Sequence, residues 1–242
     1  MCPTTHRSSI RQIMVFQAIV YPWWYFCQEP SVLRHTLLFL PNPDCIPASK
    51  NQSPNQTRPL LLPGCVSVYV SPQIHLSELE KGDEIALVKW LNDEVIYANT
   101  LRIPMPYKPE HARDFLRYTR IMRREHRHAT EWAIRNVDGD MIGCIGFSRI
   151  YGKYSHKDEL GYWLAAPYRG RGIMTEVVAV ASEIGFRHFD LWRLEAPVFP
   201  HNSASAKVLE KNGFVAEGTL KNYVLKNSRP MDVTMYAKVR MR

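Results

Sequence analysis

The sequence predicts a mixed α/β fold: a mostly antiparallel sheet with one parallel crossover and helices on both faces. Three observations predict it. Short apolar runs bounded by turn residues recur from residue 73 onward, as strands do. Two stretches of helical period precede residue 128. Later, a run at 159–164 and a run at 193–199 are separated by a helix of the right length for a right-handed parallel crossover, while the other strand connections read as hairpins. Helices on two sides of one sheet complete the layer architecture.

Each element has its own signal. Residues 73–79 alternate and read as a strand. Residues 82–91 read as a helix with Ile85, Leu87, Val88 and Leu91 as its apolar positions. A loop with Pro104, Pro106 and Pro109 follows. Residues 110–127 are helical, with Phe115, Leu116, Ile121 and Met122 on one face and Arg113, Arg117, Arg120, Arg123, Arg124 and Arg127 on the other. Such a charge run reads as a solvated face, or as a surface that steers an acidic ligand. Residues 131–136 and 141–148 flank Asp138-Gly139, a strong hairpin signal. After the strand at 159–164 comes a helix to about residue 188, carrying Ile173, Val177, Val180, Ala181 and Ile184. Beyond the strand at 193–199, a helix at 202–211 has Asn202 as N-cap and Gly213 just past its end. Residues 214–220 and 233–239 read as a closing pair of strands.

Residues 1–70 differ from the rest and read as an N-terminal extension, either disordered or a mis-assigned start; the domain proper spans 73–240. Residues 41–63 are rich in proline, asparagine and serine and lack an apolar period. The apolar run 13–27 is interrupted by Gln17 and Pro22 and is shorter than the ~20 residues a span needs. Arg7 and Arg11 precede it, which leaves a signal or membrane-tether reading open.

The chain of 242 residues is 45% hydrophobic and 22% charged, as a globular protein is. Its formal net charge of +8 is spread out, with no zinc-finger spacing and no basic block, so nucleic acid is not expected as a partner. The five cysteines are irregularly spaced and form no C-x-x-C, which suggests neither a disulfide framework nor a metal site. Four of them precede residue 70, and a reducing, cytoplasmic compartment is the simple reading.

The chemistry is concentrated where the strand at 159–164 meets the next helix. Glu159-Leu-Gly-Tyr-Trp-Leu164 is followed by Ala-Ala-Pro-Tyr and then Arg169-Gly-Arg-Gly-Ile-Met-Thr-Glu176. Gly170 and Gly172 let the backbone take unusual dihedrals and let a ligand come close. The first N–H groups of the helix have no intrahelical partner and lie at the positive end of its dipole, so the turn is built for a phosphate. The pattern is neither G-x-x-x-x-G-K-[ST] nor G-x-G-x-x-G.

Arg169-Gly-Arg-Gly172-Ile-Met174 resembles the R-x-x-G-x-x pyrophosphate loop of the GCN5-related N-acetyltransferases (GNATs), with Met174 where that family usually has Gly or Ala. Asn202-Ser-Ala-Ser205-Ala-Lys-Val-Leu-Glu-Lys-Asn-Gly213-Phe214 resembles a second block of the same family at a matching distance. Together with Glu-Leu-Gly-Tyr-Trp-Leu before the loop, the likeness is closest to the RimJ/RimL branch, which acetylates ribosomal-protein N-termini, and it covers about residues 73–240.

The resemblance implies a GNAT-type sheet and acetyl transfer from the co-substrate acetyl-CoA directly to a primary amine, a protein N-terminus or a small molecule, through a tetrahedral intermediate. It implies that the amides from Arg169 to Thr175 (Arg169, Gly170, Arg171, Gly172, Ile173, Met174, Thr175) hold the pyrophosphate, with the Arg169 and Arg171 guanidinium groups adding contacts. It implies that Leu164 and Ala165 pair their backbone with the pantetheine arm, that an amide near Leu164 stabilises the oxyanion, and that Asn202 binds the arm too. Many members carry a tyrosine acid where this chain has Leu209, so Ser205 becomes the hydroxyl expected near the leaving sulfur. Glu159 is the expected base, with His201 as a second candidate and Tyr223 on the acceptor side. No metal is expected. A CoA-binding interaction module with weak catalysis, and an enzyme tethered by residues 13–27, are the competing readings.

Overall fold

The computed structural model describes residues 67–148 and 155–241. The apolar run 13–27, the proline-rich stretch 41–63 and the cysteines before residue 70 lie outside the described residues.

Among the described residues eight strands form one sheet: β1 (Ser67–Ser71), β2 (Ile74–Ser77), β3 (Glu131–Arg135), β4 (Met141–Phe147), β5 (Lys157–Leu164), β6 (Arg193–Val198), β7 (Val215–Lys226) and β8 (Arg229–Val239). Their order is β1-β2-β3-β4-β5-β6-β8-β7. Only the β5–β6 pair is parallel, and α4 (Ile173–Arg187) makes that crossover. The expected mixed sheet with one crossover is therefore the observed one.

Two apolar clusters place the helices. Trp132, Ile134, Ile145, Phe147, Leu160 and Leu164 pack with Val177, Val178, Ala181 and Ile184 of α4. Ala133 and Cys144 pack instead with Leu87 and Leu91 of α1 (Asp83–Leu91) and Ala112, Phe115 and Leu116 of α3 (Pro109–His126). Residues alternating along β3 and β4 thus feed opposite layers, as the two-residue period of a strand requires. β4 is covered on both sides and buried along its whole length. A buried pair fixes α1 to the sheet: Arg135 Nη1 and Nη2 donate to the two carboxylate oxygens of Asp83, each at 2.9 Å.

The differences from the sequence reading have local causes. β1 begins inside the stretch 1–70 assigned to the extension and ends one residue beyond it, and it pairs with β2 across that boundary. Val68 is buried in the α4 layer, so β1 belongs to the sheet. A helix, α2 (Glu94–Asn99), occupies part of the region read as loop; at six residues it is too short for a period, and its signal is Asp93, whose Oδ1 accepts from the Ile96 amide. Of the apolar positions of α1, Ile85 is exposed, while Leu87 and Leu91 turn inward. β7 and β8 are longer than expected. β7 is exposed over nearly all of its length and is held by cross-strand pairing with β8, which leaves no alternation in its sequence. Three of the six arginines of the α3 face are ion-paired at the surface: Arg113 with Glu84, Arg117 with Asp114 and Arg123 with Glu78.

Candidate active site

The β5–β6 ladder is short, and the sequence explains why. Its paired residues are Lys157–Glu159 with Arg193–Glu195. Arg240 N donates to Trp192 O on the far side of β6, so by the antiparallel alternation the amides of Arg193, Glu195 and residue 197 point toward β5. The next rung would need the amide of residue 197, which is Pro197 and has no N–H. The strands part there. On β5, Ala165 N donates to Ile142 O and Ser148 N donates to Glu159 O, so the odd positions bond to β4. The main-chain groups of Tyr162 and Leu164 therefore face the opening.

This geometry narrows the expected cofactor contacts. Ala165 spends its amide on β4, so it does not pair with a pantetheine arm through that group. Leu164 keeps its N–H toward the opening, while its carbonyl accepts from Arg169 Nε at 2.9 Å. The same guanidinium lies 3.0 Å from Asp93 Oδ2, a contact held by charge rather than by an aligned hydrogen bond. Arg169 is thus a strut between β5 and the N-terminus of α2, and its guanidinium does not point at a phosphate. Burial alone would raise the Asp93 carboxyl; the Ile96 amide and Arg169 outweigh it and hold the carboxyl below its ordinary value.

The loop beyond is open to a ligand. Gly170 and Gly172 sit at φ +75° and +83°, a region only glycine enters without strain, and a Cβ at either would meet nothing within 4 Å. Arg169 N and Thr175 N donate to Ala166 O and Gly172 O. That removes both ends of the expected run and leaves the amides of Gly170, Arg171, Gly172, Ile173 and Met174 without a protein acceptor among the described hydrogen bonds. They cluster at the N-terminus of a fifteen-residue helix. Met174, the residue that departs from the Gly/Ala pattern, buries its side chain in the core cluster of α4 and the sheet, away from solvent. Arg171 is exposed above the Tyr168 ring. Five successive amides without a protein acceptor, at a helix N-terminus beside an opened strand edge, suit a diphosphate with an extended arm.

The second motif lies across the opening. α5 (Ser203–Lys211) begins at Asn202, whose Oδ1 caps it by accepting from Ser205 N at 3.1 Å, leaving the side-chain NH2 as donor. Gly213 has φ +78° just past the helix, as its position implied. Leu209 is fully buried in the core. The Ser205 hydroxyl is 2.7 Å from the Tyr162 hydroxyl. Burial pushes the Tyr162 phenol up to about 12, against the pull of that hydrogen bond.

Strand alternation puts the two candidate catalytic groups on opposite faces. Leu160, Tyr162 and Leu164 face the α4 layer, and Trp163 faces the α1–α3 layer; Glu159 shares the face of Trp163. Burial raises the Glu159 carboxyl, with Glu195 and Asp158 adding to the rise and Arg102 and Lys157 opposing it. Tyr223 of β7 is half-exposed, and its phenol is raised first by burial and then by the charges of Glu159 and Glu195. Lys226 and Asn227, at the end of the β7–β8 hairpin, bond to Tyr97 and Thr100 and tie the hairpin to the α2 region. His201 stacks on Phe199 as a loop-packing ring.

One titratable group had no sequence signal. Glu131 of β3 lies on the face of Glu159, and its carboxylate fills the space where a side chain of Gly146 would stand: a Cβ there would be 1.7 Å from Oε2. Gly161, opposite Gly146 in register, has open space above it. Burial raises the Glu131 carboxyl to about 8, with Asp158 adding and Arg102 opposing. Only the pairing of β3, β4 and β5 brings these residues together.

Among the described residues no group of three or more His, Cys, Asp or Glu is placed to hold a metal, and no helix is long and apolar enough to cross a membrane.

Comparison with known proteins agrees with this geometry. Uncharacterized N-acetyltransferase YoaA of Bacillus subtilis is 33% identical over 119 residues, 49% of this chain and 67% of that one. Other Bacillus relatives are spanned over only about half of their own length, 54% and 48%. The L-amino acid N-acetyltransferase AaaT of Escherichia coli is 27% identical over 60% of this chain and 85% of its own. The crystal structure of the ribosomal-protein-S5-alanine acetyltransferase of Vibrio fischeri superposes with a TM-score of 0.63 at 25% identity, covering 72% of this chain and 97% of that one. The family model described as "Acetyltransferase (GNAT) domain" matches residues 73–215, which hold the glycine loop, the opened strands and the Asn202 cap, and the chain belongs to that family.

Proposed function

We propose that this GNAT acetyltransferase moves the acetyl group of acetyl-CoA to a primary amine, a protein N-terminus or a small amine, and that the slot between β5 and β6 is where it does so. The observation that carries the reading is the run of amides from Gly170 to Met174 beside an opened strand edge. They would hold the diphosphate, with Arg171 adding charge from outside. The main-chain groups of Tyr162 and the Leu164 N–H would pair with the arm, and the Asn202 side-chain NH2 would reach it from the other wall. Bound there, acetyl-CoA supplies an activated acyl carbon and a thiolate leaving group.

The chain's residues divide the proton work by face. An α-amino group has a pKa near ~8, so modest base assistance suffices to present it neutral. Glu159, raised by burial, would take its proton on the face it shares with Trp163. The Leu164 amide would donate to the oxygen that gains charge. Ser205, on the other face, would donate toward the leaving sulfur. Relatives that include a ribosomal-protein-S5-alanine acetyltransferase and an L-amino acid N-acetyltransferase support an amine acceptor, either protein or small molecule.

Thiol release from acetyl-CoA, measured with alanine-initiated peptides and with free amino acids as acceptors, tests the reading. Turnover with either supports it. Gly172→Glu puts a carboxylate against the diphosphate and is expected to lower acetyl-CoA affinity by at least about 100-fold; unchanged affinity in that variant would remove the loop from the assignment.

A further inference from the structure

We propose that Tyr162 is the positioning residue of the leaving-group side: it holds the Ser205 hydroxyl across the mouth of the slot, so that the hydrogen of Ser205 is directed at the departing sulfur. This deepens the proposed acetyl transfer and rests on it.

The geometry is specific. Tyr162 is on β5, one wall of the opening; Ser205 is in the first turn of α5, on the other wall. Their oxygens are 2.7 Å apart, and the phenol also lies 3.5 Å from the Ser205 carbonyl. Below them the main-chain groups of Tyr162 and Leu164 face the gap. An arm lying along β5 would run past this bond.

The direction of the bond follows from chemistry. A serine hydroxyl in a helix can donate to a main-chain carbonyl one turn back, and then offers its hydrogen to nothing else. A phenol is the better acid of the two and donates to the serine oxygen. That fixes the serine rotamer, and it strengthens the outgoing Ser205 O–H through the chain of two bonds. Burial keeps the phenol protonated through the physiological range, so it remains a donor. As the amine nitrogen bonds to the acyl carbon and the C–S bond breaks, the electron pair stays on sulfur. It meets the Ser205 hydrogen, while the amine proton leaves on the opposite face.

The test is a double-mutant cycle in the full chain, with acetyl-CoA and an alanine-initiated peptide as substrates. Tyr162→Phe, which keeps the ring and its packing, is expected to lower kcat about 10-fold with the KM for acetyl-CoA within about twofold. Ser205→Ala is expected to do at least as much, and the double variant no more than Ser205→Ala alone, because the two hydroxyls act as one unit. An acetyl thioester of a more acidic thiol needs less help in departure, so the deficit of Tyr162→Phe shrinks with it. Additive losses, or an undiminished deficit with the better leaving group, would show a structural role only and overturn the proposal. A normal kcat in Tyr162→Phe beside a depressed one in Ser205→Ala overturns it while the role of Ser205 stands. A normal kcat in Ser205→Ala overturns both. A chain that binds acetyl-CoA yet acetylates neither peptides nor amino acids overturns the acetyl-transfer reading itself.

Discussion

At Glu131, a single missing Cβ decides the behaviour of a carboxyl. Gly146 leaves a space on the sheet, and the Glu131 side chain lies in it, where burial lifts its pKa to about 8. The folded-state value is above the ordinary 4.5, so the protonated form is favoured by folding. That contribution is complete below about pH 4.5 and is lost as pH climbs through about 8. The wild-type melting temperature should therefore fall across this window, and Glu131→Gln should fall less; parallel curves from pH 5 to 9 would contradict the burial argument. Nothing in the sequence flags Glu131. Its neighbours 146 and 161 are far along the chain, and an acidic residue opening a strand is unremarkable by itself. Glu159, Ser205 and Gly172 stand out in the sequence because each sits inside a spaced motif. The motif marks Arg169 as a residue but not its contacts: its guanidinium binds Leu164 O and Asp93, which only the packed chain supplies.

Among the elements, the short helix α2 has an influence out of proportion to its six residues. Asp93 caps it through one oxygen and holds Arg169 through the other. Loss of an N-cap costs about 1 kcal/mol, and here it also releases the strut beneath the glycine loop. Asp93→Ala should lower stability by about 1–2 kcal/mol in urea unfolding and weaken acetyl-CoA binding several-fold. An affinity equal to wild type would mean that the loop holds its shape without the strut. The sequence hid α2 because six residues carry no period and prolines follow closely. By contrast α4 and α5 were readable from their apolar positions and ends: Gly172 and Gly213, with φ of +83° and +78°, bracket them where the pattern placed its turns. Pro197 belongs to this scale as well. It reads as an ordinary strand residue, and its consequence, the end of the parallel ladder, depends on which edge of β6 its nitrogen faces.

For the whole molecule, the sheet is a platform whose two sides have separate duties. One layer, under α4, carries the core beneath the glycine loop; the other, with α1 and α3, lies on the side of Glu159 and Glu131. β1 completes the first layer by burying Val68 against it. A chain begun at residue 73 would lose β1. It should melt about 5–10 °C below one begun at residue 66, because a buried valine and a row of cross-strand pairs are removed from a domain of this size. Equal melting temperatures would mean that β1 adds nothing to the fold.

By itself the sequence determined the order of the principal strands and helices, the single crossover, the glycine loop and the Asn202 cap. These follow from short-range rules: period, caps, and glycines where φ must be positive. The tertiary structure alone decided which amides stay available, which arginine is a strut, where the parallel strands part, and that Tyr162 meets Ser205. Hydrogen bonds and burial are settled between residues distant in the chain, and a linear pattern carries no record of who faces whom.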